Sequence, residues 1–178
     1  MAISVRVRRS RSDEWEALKQ LRLEGLRSDP LAFGSTFALE VAFDDAQWKE
    51  RATSGSESAW ISQWVAEAAP GRLVGSAVVA DLEGTVHVFA MWVEPSVRGR
   101  GIAGRLLDTG MEWARSAFPG RSVVLEVNPR QTAAVRLYLS RGFRPTGTVR
   151  PLEHTPGEVL HEMRLEGTNA PPPAERSP

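Results

Sequence analysis

A glycine- and arginine-rich loop is the segment of the sequence with the clearest capacity for chemistry. It reads Arg98-Gly99-Arg100-Gly101-Ile102-Ala103-Gly104 and lies between a strand-like run and a strongly amphipathic stretch. Backbone N–H groups at the start of a helix are unpaired and carry the positive end of the helix dipole. Glycines let an anion approach those groups closely, and the two arginines add positive charge. The loop therefore predicts a site for a phosphate or pyrophosphate.

Three other residues carry titratable side chains in the elements around the loop. Tyr138 is the only tyrosine in the chain, and Glu126 stands twelve residues before it in an apolar run. His87 lies on the strand-like run that leads into the loop, and imidazole titrates near neutral pH. The remaining histidines, His154 and His161, have no cysteine or carboxylate pair near them in the sequence, so no metal site is predicted.

The elements that position these residues follow from the hydrophobic periodicity. Alternating apolar residues predict a strand at about 3–8, and β-like runs joined by short turns predict an antiparallel meander over 59–66, 72–80 and 86–93. A 3.6-residue period predicts a long helix over 103–118, followed by a strand at 122–127 and a helix at 131–141 that ends near Gly142. A last hairpin is expected at 144–150 and 159–165. The fold class is thus α/β (α+β), a mixed and mostly antiparallel sheet with one parallel pair.

The first third of the chain gives weaker signals. Asp13 and Glu16 have the spacing of a capping box that opens a helix through about Leu26. The stretch 31–40 has no clear period and is expected to be loop with a short helical piece. A short helix is predicted from Asp44 to about Arg51, with the small polar residues 53–56 in a loop.

Composition narrows the function further. The chain has 178 residues, which fits one domain at 1–166 with a disordered, proline-rich tail at 167–178. It has no cysteine, which excludes disulfides, thiolate metal sites and a cysteinyl intermediate. Its 22 basic residues balance 22 acidic ones, so neither nucleic acid nor a membrane surface is an expected partner. With no apolar export segment at the start, a cytoplasmic location is expected.

The loop alone is open to two interpretations. Gly99, Gly101 and Gly104 satisfy the GxGxxG pattern of dinucleotide-binding proteins, and Glu126 follows at the next strand. Those proteins, however, usually open a doubly wound parallel sheet with this motif, whereas here it follows an antiparallel meander. A dinucleotide-binding protein therefore stays as an alternative.

Two linked motifs resemble those of the GCN5-related N-acetyltransferases, the GNAT family. The family's Q/R-x-x-G-x-G/A pattern is filled by Arg98, Gly101 and Ala103. Its second signature, N-x-x-A-x-x-L-Y followed by G-F, is matched at Ala134, Leu137, Tyr138, Gly142 and Phe143. The chain departs from this signature at Gln131, where the family usually has Asn, although Asn128 lies three residues earlier.

The resemblance implies that acetyl-CoA is the acyl donor and that it lies between two parallel strands that splay apart, here 86–93 and 122–127. The pyrophosphate is then expected on the backbone of residues 97–104 and the pantetheine arm near Trp92 and Val93. The residues expected to bind the cofactor are Trp92, Val93, Val97, Arg98, Gly99, Arg100, Gly101, Ile102, Ala103, Gly104, Asn128 and Gln131.

The resemblance also implies roles in catalysis. Tyr138 occupies the family's tyrosine position and is expected to act as general acid toward the CoA sulfur. Glu126, in Leu125-Glu126-Val127, is similar to the proposed base of the ribosomal-protein N-terminal acetyltransferases. His87 is the rival base, because it falls near the catalytic glutamate of the histone-acetylating branch. Without a cysteine nucleophile, direct attack of the amine in a ternary complex is the simplest route.

The acceptor is less defined. The family builds its acceptor site from the first helices and the last hairpin, here about 26–45 and 150–161. We expect a primary amine of a small molecule or of a peptide, and a homodimer is left open. A non-catalytic acyl-CoA sensor on the same fold is the main alternative function, with Gln131 marking a site that no longer turns over.

Overall fold

A computed structural model describes residues 4–167 and shows one seven-stranded sheet flanked by helices. The strands are β1 (Arg6–Arg9), β2 (Ile61–Ala69), β3 (Arg72–Leu82), β4 (Thr85–Val93), β5 (Ser122–Val127), β6 (Phe143–Pro151) and β7 (Val159–Leu165). The helices are α1 (Trp15–Ser28), α2 (Phe37–Glu40), α3 (Asp45–Glu57), α4 (Ile102–Ala117) and α5 (Thr132–Ser140). The predicted start of the first strand at Ile3 and the predicted tail beyond Gly167 lie outside the described residues.

The sheet has the order β1-β2-β3-β4-β5-β7-β6. Only β4 and β5 pair in parallel in the described sheet, and every other neighbouring pair is antiparallel. This confirms the predicted meander, the parallel pair and the last hairpin. A doubly wound dinucleotide-binding sheet would need further parallel strands, so that alternative does not fit this fold.

The central strands are covered on both faces, and successive strand residues point to opposite sides. Ala66 and Val74 pack with Ile102 and Leu106 of α4 on one face. Their neighbours Val65 and Leu73 join a separate cluster with α1 and α3 on the other face. The strands thus form the middle of three layers, and α4 is held firmly against it. Within residues 4–167, no helix is both long and apolar enough to cross a membrane.

The prediction of a loop at 53–56 is wrong, because α3 continues to Glu57. Glycine is required at position 55, since a Cβ on Gly55 would come within 2.8 Å of the Gln63 side chain on β2. The Ser56 hydroxyl donates back to the Ala52 carbonyl at 2.8 Å, so its polar group is satisfied within the helix. The glycine that suggested a loop is therefore needed for the close packing of α3 on β2.

The predicted capping box of Asp13 and Glu16 is also wrong. A short 3₁₀ turn at Ser12–Glu14 precedes α1. The Glu14 carboxylate accepts from the Arg11 backbone N–H at 2.9 Å and forms an ion pair with Arg8 on β1. The ion pair between Glu14 and Arg8 links this turn to β1. The two residues are six apart in sequence, so the three-residue spacing of a capping box does not predict the contact.

Candidate active site

The parallel strands β4 and β5 separate part of the way along their length. Their pairing runs from Thr85 and Ser122 to Val88 and Leu125 and stops there. Immediately beyond, β4 has a bulge against β3, and Ala90 adopts a left-handed φ of 51°. Beyond Val88, Phe89, Trp92 and Val93 keep their β3 partners, whereas no residue of β4 pairs with β5. Their free backbone groups line a wedge-shaped gap, which confirms the expected splay.

A cavity of about 330 Å³ lies at this gap. Its wall brings together most of the residues predicted from the sequence, namely Trp92, Val93, Arg98, Gly99, Gly101, Ile102, Ala103, Gly104, Glu126, Asn128, Gln131 and Tyr138. Three predicted residues do not line it. Val97 is buried beneath the loop, Arg100 is exposed, and His87 lies on the closed part of the strand pair, opposite Val124.

The glycine loop has the open geometry that an anion site needs. Gly99 and Gly101 have φ values of 76° and 72°, which favour glycine, and a Cβ built on either would meet no atom within 4 Å. Gly101 is the N-cap of α4 and provides no side chain to cap it. The first N–H groups of α4 have no partner within the helix and face this open space. The loop residues therefore fit a diphosphate group.

Arg98 has a partner inside the protein. Its guanidinium donates to the Val93 carbonyl at 2.8 Å and to the Asp29 carboxylate at 2.6 Å. The Trp92 indole N–H donates to the same Asp29 oxygen at 2.7 Å. Burial raises the pKa of Asp29, but the hydrogen bonds from Arg98 and Trp92 outweigh it and hold that pKa below its usual range. Asp29 thus ties the end of α1 to the loop and to β4.

Tyr138 forms part of the apolar wall of the cavity. It is 7% exposed and packs edge-on against Phe143, with ring centroids 6.0 Å apart. Burial raises the pKa of its phenol to about 12. At neutral pH the residue is therefore a protonated O–H group at the edge of the gap, suited to donate a hydrogen bond.

Glu126 also lines the cavity, and it is ion-paired. Its two carboxylate oxygens accept from the Nε and Nη2 atoms of Arg150 on β6. This hydrogen bond raises the pKa of Arg150 above its usual value, although partial burial opposes the change. These two hydrogen bonds fix the orientation of the Glu126 carboxylate beside the cavity.

The two amide candidates differ in their surroundings. Asn128 is buried, its Oδ1 accepts from the Arg130 backbone N–H at 2.9 Å, and its Nδ2 donates to Glu158 at 2.9 Å. Gln131 stands at the start of α5 and makes no capping hydrogen bond with its side chain. Gln131 therefore has the freer amide toward the cavity, and Asn128 shapes the turn.

Some residues of the cavity wall were not predicted individually from the sequence. Asp29, Leu31, Ala32 and Leu160 line the cavity and fall within the two segments expected to hold the acceptor. The Ser28-Asp29-Pro30 sequence predicts only the end of a helix. The hydrogen-bond partners of Asp29 are Trp92 and Arg98, which are remote in sequence, so no local pattern predicts these contacts. His154 reaches the same region, with its Nε2 atom 2.7 Å from the Phe33 carbonyl oxygen. Among residues 4–167, no three His, Asp or Glu side chains gather as a metal site would require.

Comparison with known proteins identifies relatives that share this architecture. A family model described as the acetyltransferase (GNAT) family matches residues 15–143. N-alpha-acetyltransferase RimI of Mycobacterium tuberculosis (strain ATCC 25618 / H37Rv) is 32% identical over 126 residues, covering 68% of this chain and 77% of that protein.

Solved structures agree on the fold. A GCN5-related N-acetyltransferase from Kribbella flavida superimposes with a TM-score of 0.69 at 26% identity, covering 90% of this chain and 96% of that one. The yncA protein of Salmonella typhimurium, solved with its cofactor acetyl-CoA, gives a TM-score of 0.75 at 20% identity, covering 96% and 99%. The family match and the shared fold agree with the splayed strands and the glycine loop. The chain belongs to the GNAT family of acetyltransferases, enzymes that take their acyl group from acetyl-CoA.

Proposed function

We propose that this protein transfers the acetyl group of acetyl-CoA to a primary amine by direct attack in a ternary complex. The observation that carries the proposal is the cavity at the β4–β5 gap, whose wall holds both the glycine loop and Tyr138. One wall can thus hold the donor's phosphates while the other faces its sulfur. A binding protein would need the loop but not a buried phenol at the gap.

The donor is oriented by backbone groups. The loop and the start of α4 bind the pyrophosphate, and the pantetheine arm adds to the free edge of β4 at Trp92 and Val93. Running back along β4, the arm brings the thioester toward Met91 and Ala90, where the strands meet. A backbone N–H on this edge is the donor for the oxyanion that forms on the thioester carbonyl.

The chemistry then requires proton movement between amine and sulfur. The acceptor amine must be neutral to attack, and Glu126 is the base that takes its proton, directly or through water. The nitrogen forms a bond to the acetyl carbon, the tetrahedral intermediate collapses, and the carbon–sulfur bond breaks. Tyr138 donates a hydrogen bond to the departing thiolate, which leaves as the CoA thiol. His87 stays a rival base, although it lies outside the cavity wall.

The acceptor is a primary amine of a small molecule or of a peptide. The name of the RimI relative, an N-alpha-acetyltransferase, supports an α-amine. The cavity residues Asp29, Leu31 and Leu160 support an approach between the end of α1 and the last hairpin.

Acetyl-CoA incubated with a panel of amines and peptides tests the proposal, with release of free thiol as the readout. We expect amine-dependent release above hydrolysis, and initial-rate lines for the two substrates that intersect. Parallel lines would rule out the ternary complex. Tight acetyl-CoA binding without release for any amine would support the acyl-CoA sensor instead.

A further inference from the structure

A short segment, residues 29–33, contacts both the glycine loop and the connection between β6 and β7. Leu31 and Ala32, in the middle of this segment, line the cavity. A 3₁₀ turn at Pro30–Ala32 shapes the backbone, and the Ala32 N–H donates to the Asp29 carbonyl at 2.9 Å. The 29–33 segment is therefore a closed turn that brings two apolar residues to the cavity wall.

The first anchor of the segment is the Asp29 carboxylate. Its Oδ2 atom accepts from Arg98 Nη2 at 2.6 Å and from Trp92 Nε1 at 2.7 Å. The Asp29 side chain is 19% exposed, and charge-assisted hydrogen bonds of this length are among the stronger ones in proteins. Arg98 belongs to the glycine loop, and Trp92 lies on the edge of β4 proposed to bind the pantetheine arm. This end is thus fixed by the two elements that hold the donor.

The second anchor lies at the other end of the segment. The Phe33 carbonyl oxygen is 2.7 Å from His154 Nε2, and a carbonyl only accepts, so the imidazole Nε2 is the donor. The other ring nitrogen, Nδ1, is 2.9 Å from the Thr155 hydroxyl oxygen. Phe33 is buried and His154 is half-buried. His154 stands between β6 and β7, so this end is fixed by the hairpin expected to hold the acceptor.

Neither anchor is free to take part in the proton transfers. Asp29 is ion-paired with Arg98, and both ring nitrogens of His154 are engaged. What the two side chains share is the segment between them, and each holds one of its ends. Loss of either side chain would let Leu31 and Ala32 shift in the cavity wall.

We propose that Asp29 and His154 are positioning residues, which together hold Leu31 and Ala32 against the group that carries the attacking amine. The inference rests on the acetyl transfer proposed above. Asp29 acts on the donor side as well, because it also holds the glycine loop through Arg98. His154 acts on the acceptor side alone. The two residues therefore differ in their effects on the two substrates.

Replacement of His154 tests the acceptor side. In His154→Ala the Phe33 carbonyl loses its donor, so we expect the KM for the amine to rise about tenfold, while the KM for acetyl-CoA stays within about twofold. His154→Gln places an amide N–H near the position of the imidazole Nε2 and should restore most of the loss. His161→Ala is the matched control, because His161 lies on β7 outside the cavity wall. An unchanged amine KM in His154→Ala would overturn the proposal and leave the transferase standing.

Replacement of Asp29 tests the donor side. Asp29→Asn keeps an oxygen that can accept from Trp92 but loses the negative charge that faces Arg98. We expect the KM values for acetyl-CoA and for the amine to rise together, each about fivefold, because the loop and the 29–33 segment are both released. An amine KM that stays at the wild-type value while the KM for acetyl-CoA rises would contradict the proposal.

The double variant of Asp29→Asn and His154→Ala tests whether the two anchors hold one segment. Its amine KM should differ from the product of the two single effects by at least about threefold, because residues that act on a shared element are not additive. Effects that simply multiply would contradict a shared segment.

A binding measurement separates this inference from the transferase proposal. Conjugates that join the CoA sulfur through an acetyl bridge to amines of the panel occupy both sides of the cavity without turnover. By calorimetry we expect at least one conjugate to bind more tightly than CoA, and His154→Ala to remove about tenfold of this gain without changing the affinity for CoA. That result without thiol release from any amine would support the positioning role and contradict the transferase. A gain that is absent, or that His154→Ala leaves intact, would overturn the positioning role.

A second variant covers the case in which His154→Ala does not fold. Leu31→Ala shortens a half-buried side chain of the cavity wall. We expect the same rise in the amine KM with an unchanged KM for acetyl-CoA. A folded Leu31→Ala protein with the wild-type amine KM would contradict the proposal.

Discussion

Tyr138 keeps its proton throughout the physiological range, because burial raises the pKa of its phenol to about 12. An ordinary thiol has a pKa near 8.5, so complete transfer of the phenolic proton to a thiolate is uphill by roughly 5 kcal/mol. The hydroxyl is therefore most effective as a hydrogen-bond donor to the sulfur as charge develops. The proton that finally reaches the thiol comes from the acetylated nitrogen.

Replacing Tyr138 with Phe tests this role. We expect kcat to fall about a hundredfold, while the KM for acetyl-CoA stays within about twofold, because the hydroxyl acts mainly in the transition state. Thermal unfolding should change little, since the phenylalanine ring still packs on Phe143. Steady-state kinetics on the folded variant measure both constants. An unchanged kcat would remove Tyr138 from the mechanism.

The ion pair of Glu126 with Arg150 predicts that Arg150 supports catalysis through Glu126. In Arg150→Gln the carboxylate loses the guanidinium that fixes its orientation beside the cavity. If Glu126 is the base, kcat should fall about tenfold, because general-base catalysis depends on the position of the base. The measurement is kcat at saturating substrates.

Arg144→Gln is the control for that experiment. Arg144 lies on the same strand, β6, and its charged partner is Glu166. Its replacement should leave kcat unchanged. An unchanged kcat in Arg150→Gln as well would contradict the role of Glu126 and favour water or His87 as the base.

The loop before α4 contains two arginines with different surroundings. Arg98 is held by Asp29 and the Val93 carbonyl, whereas Arg100 is exposed. Arg100→Ala should therefore weaken CoA binding about fivefold at low salt, and this loss should shrink as salt rises, because it removes a screened charge contact. Arg98→Ala should weaken binding at all salt concentrations, because it releases the loop from α1 and β4.

Calorimetry of CoA binding at low and high salt measures both effects. The double replacement of Arg98 and Arg100 should combine a salt-dependent and a salt-independent loss. Equal affinity for the wild type and Arg100→Ala at low salt would show that backbone N–H groups alone bind the phosphates.

Local patterns predicted the elements that carry the site better than the contacts that hold it. The apolar period of α4 and the short run of β5 are strong signals, and both were predicted to within a residue or two. The links of Asp29 to Trp92 and of Glu126 to Arg150 join residues far apart in sequence, and no periodicity encodes them. The left-handed backbone of Ala90 at the bulge was not predicted either. A non-glycine residue is held in this conformation by the surrounding sheet, which the local sequence does not reveal.

The net charge of the whole molecule is zero, but individual acidic and basic side chains form close ion pairs inside it. The 22 acidic residues include Glu40, which is 1% exposed and anchors Arg22 of α1 and Arg51 of α3. Burial alone raises the pKa of the Glu40 carboxyl. Hydrogen bonds from Arg22 and Ser35 and the nearby positive charges outweigh burial and lower that pKa from 4.5 to about 2.

This lowered pKa fixes how stability depends on pH. A carboxyl whose pKa is lower in the folded state contributes stability above its unfolded value and loses it as pH falls through the folded value. For Glu40 the contribution is complete above about pH 5 and disappears between 4.5 and about 2. The size is on the order of 3 kcal/mol, which is the difference in pKa expressed as free energy.

Glu40→Gln should therefore lower the free energy of unfolding at pH 7 by about 3 kcal/mol, because Arg22 and Arg51 lose their buried partner. The difference from the wild type should narrow as pH falls from 4.5 toward 2, where the wild-type carboxyl itself becomes protonated. Denaturant unfolding at several pH values measures both. Glu57→Gln, at an exposed carboxylate on the same helix as Arg51, should change stability by less than about 0.5 kcal/mol at every pH. A constant difference between Glu40→Gln and the wild type down to pH 2 would contradict a stabilisation that depends on the charge of Glu40.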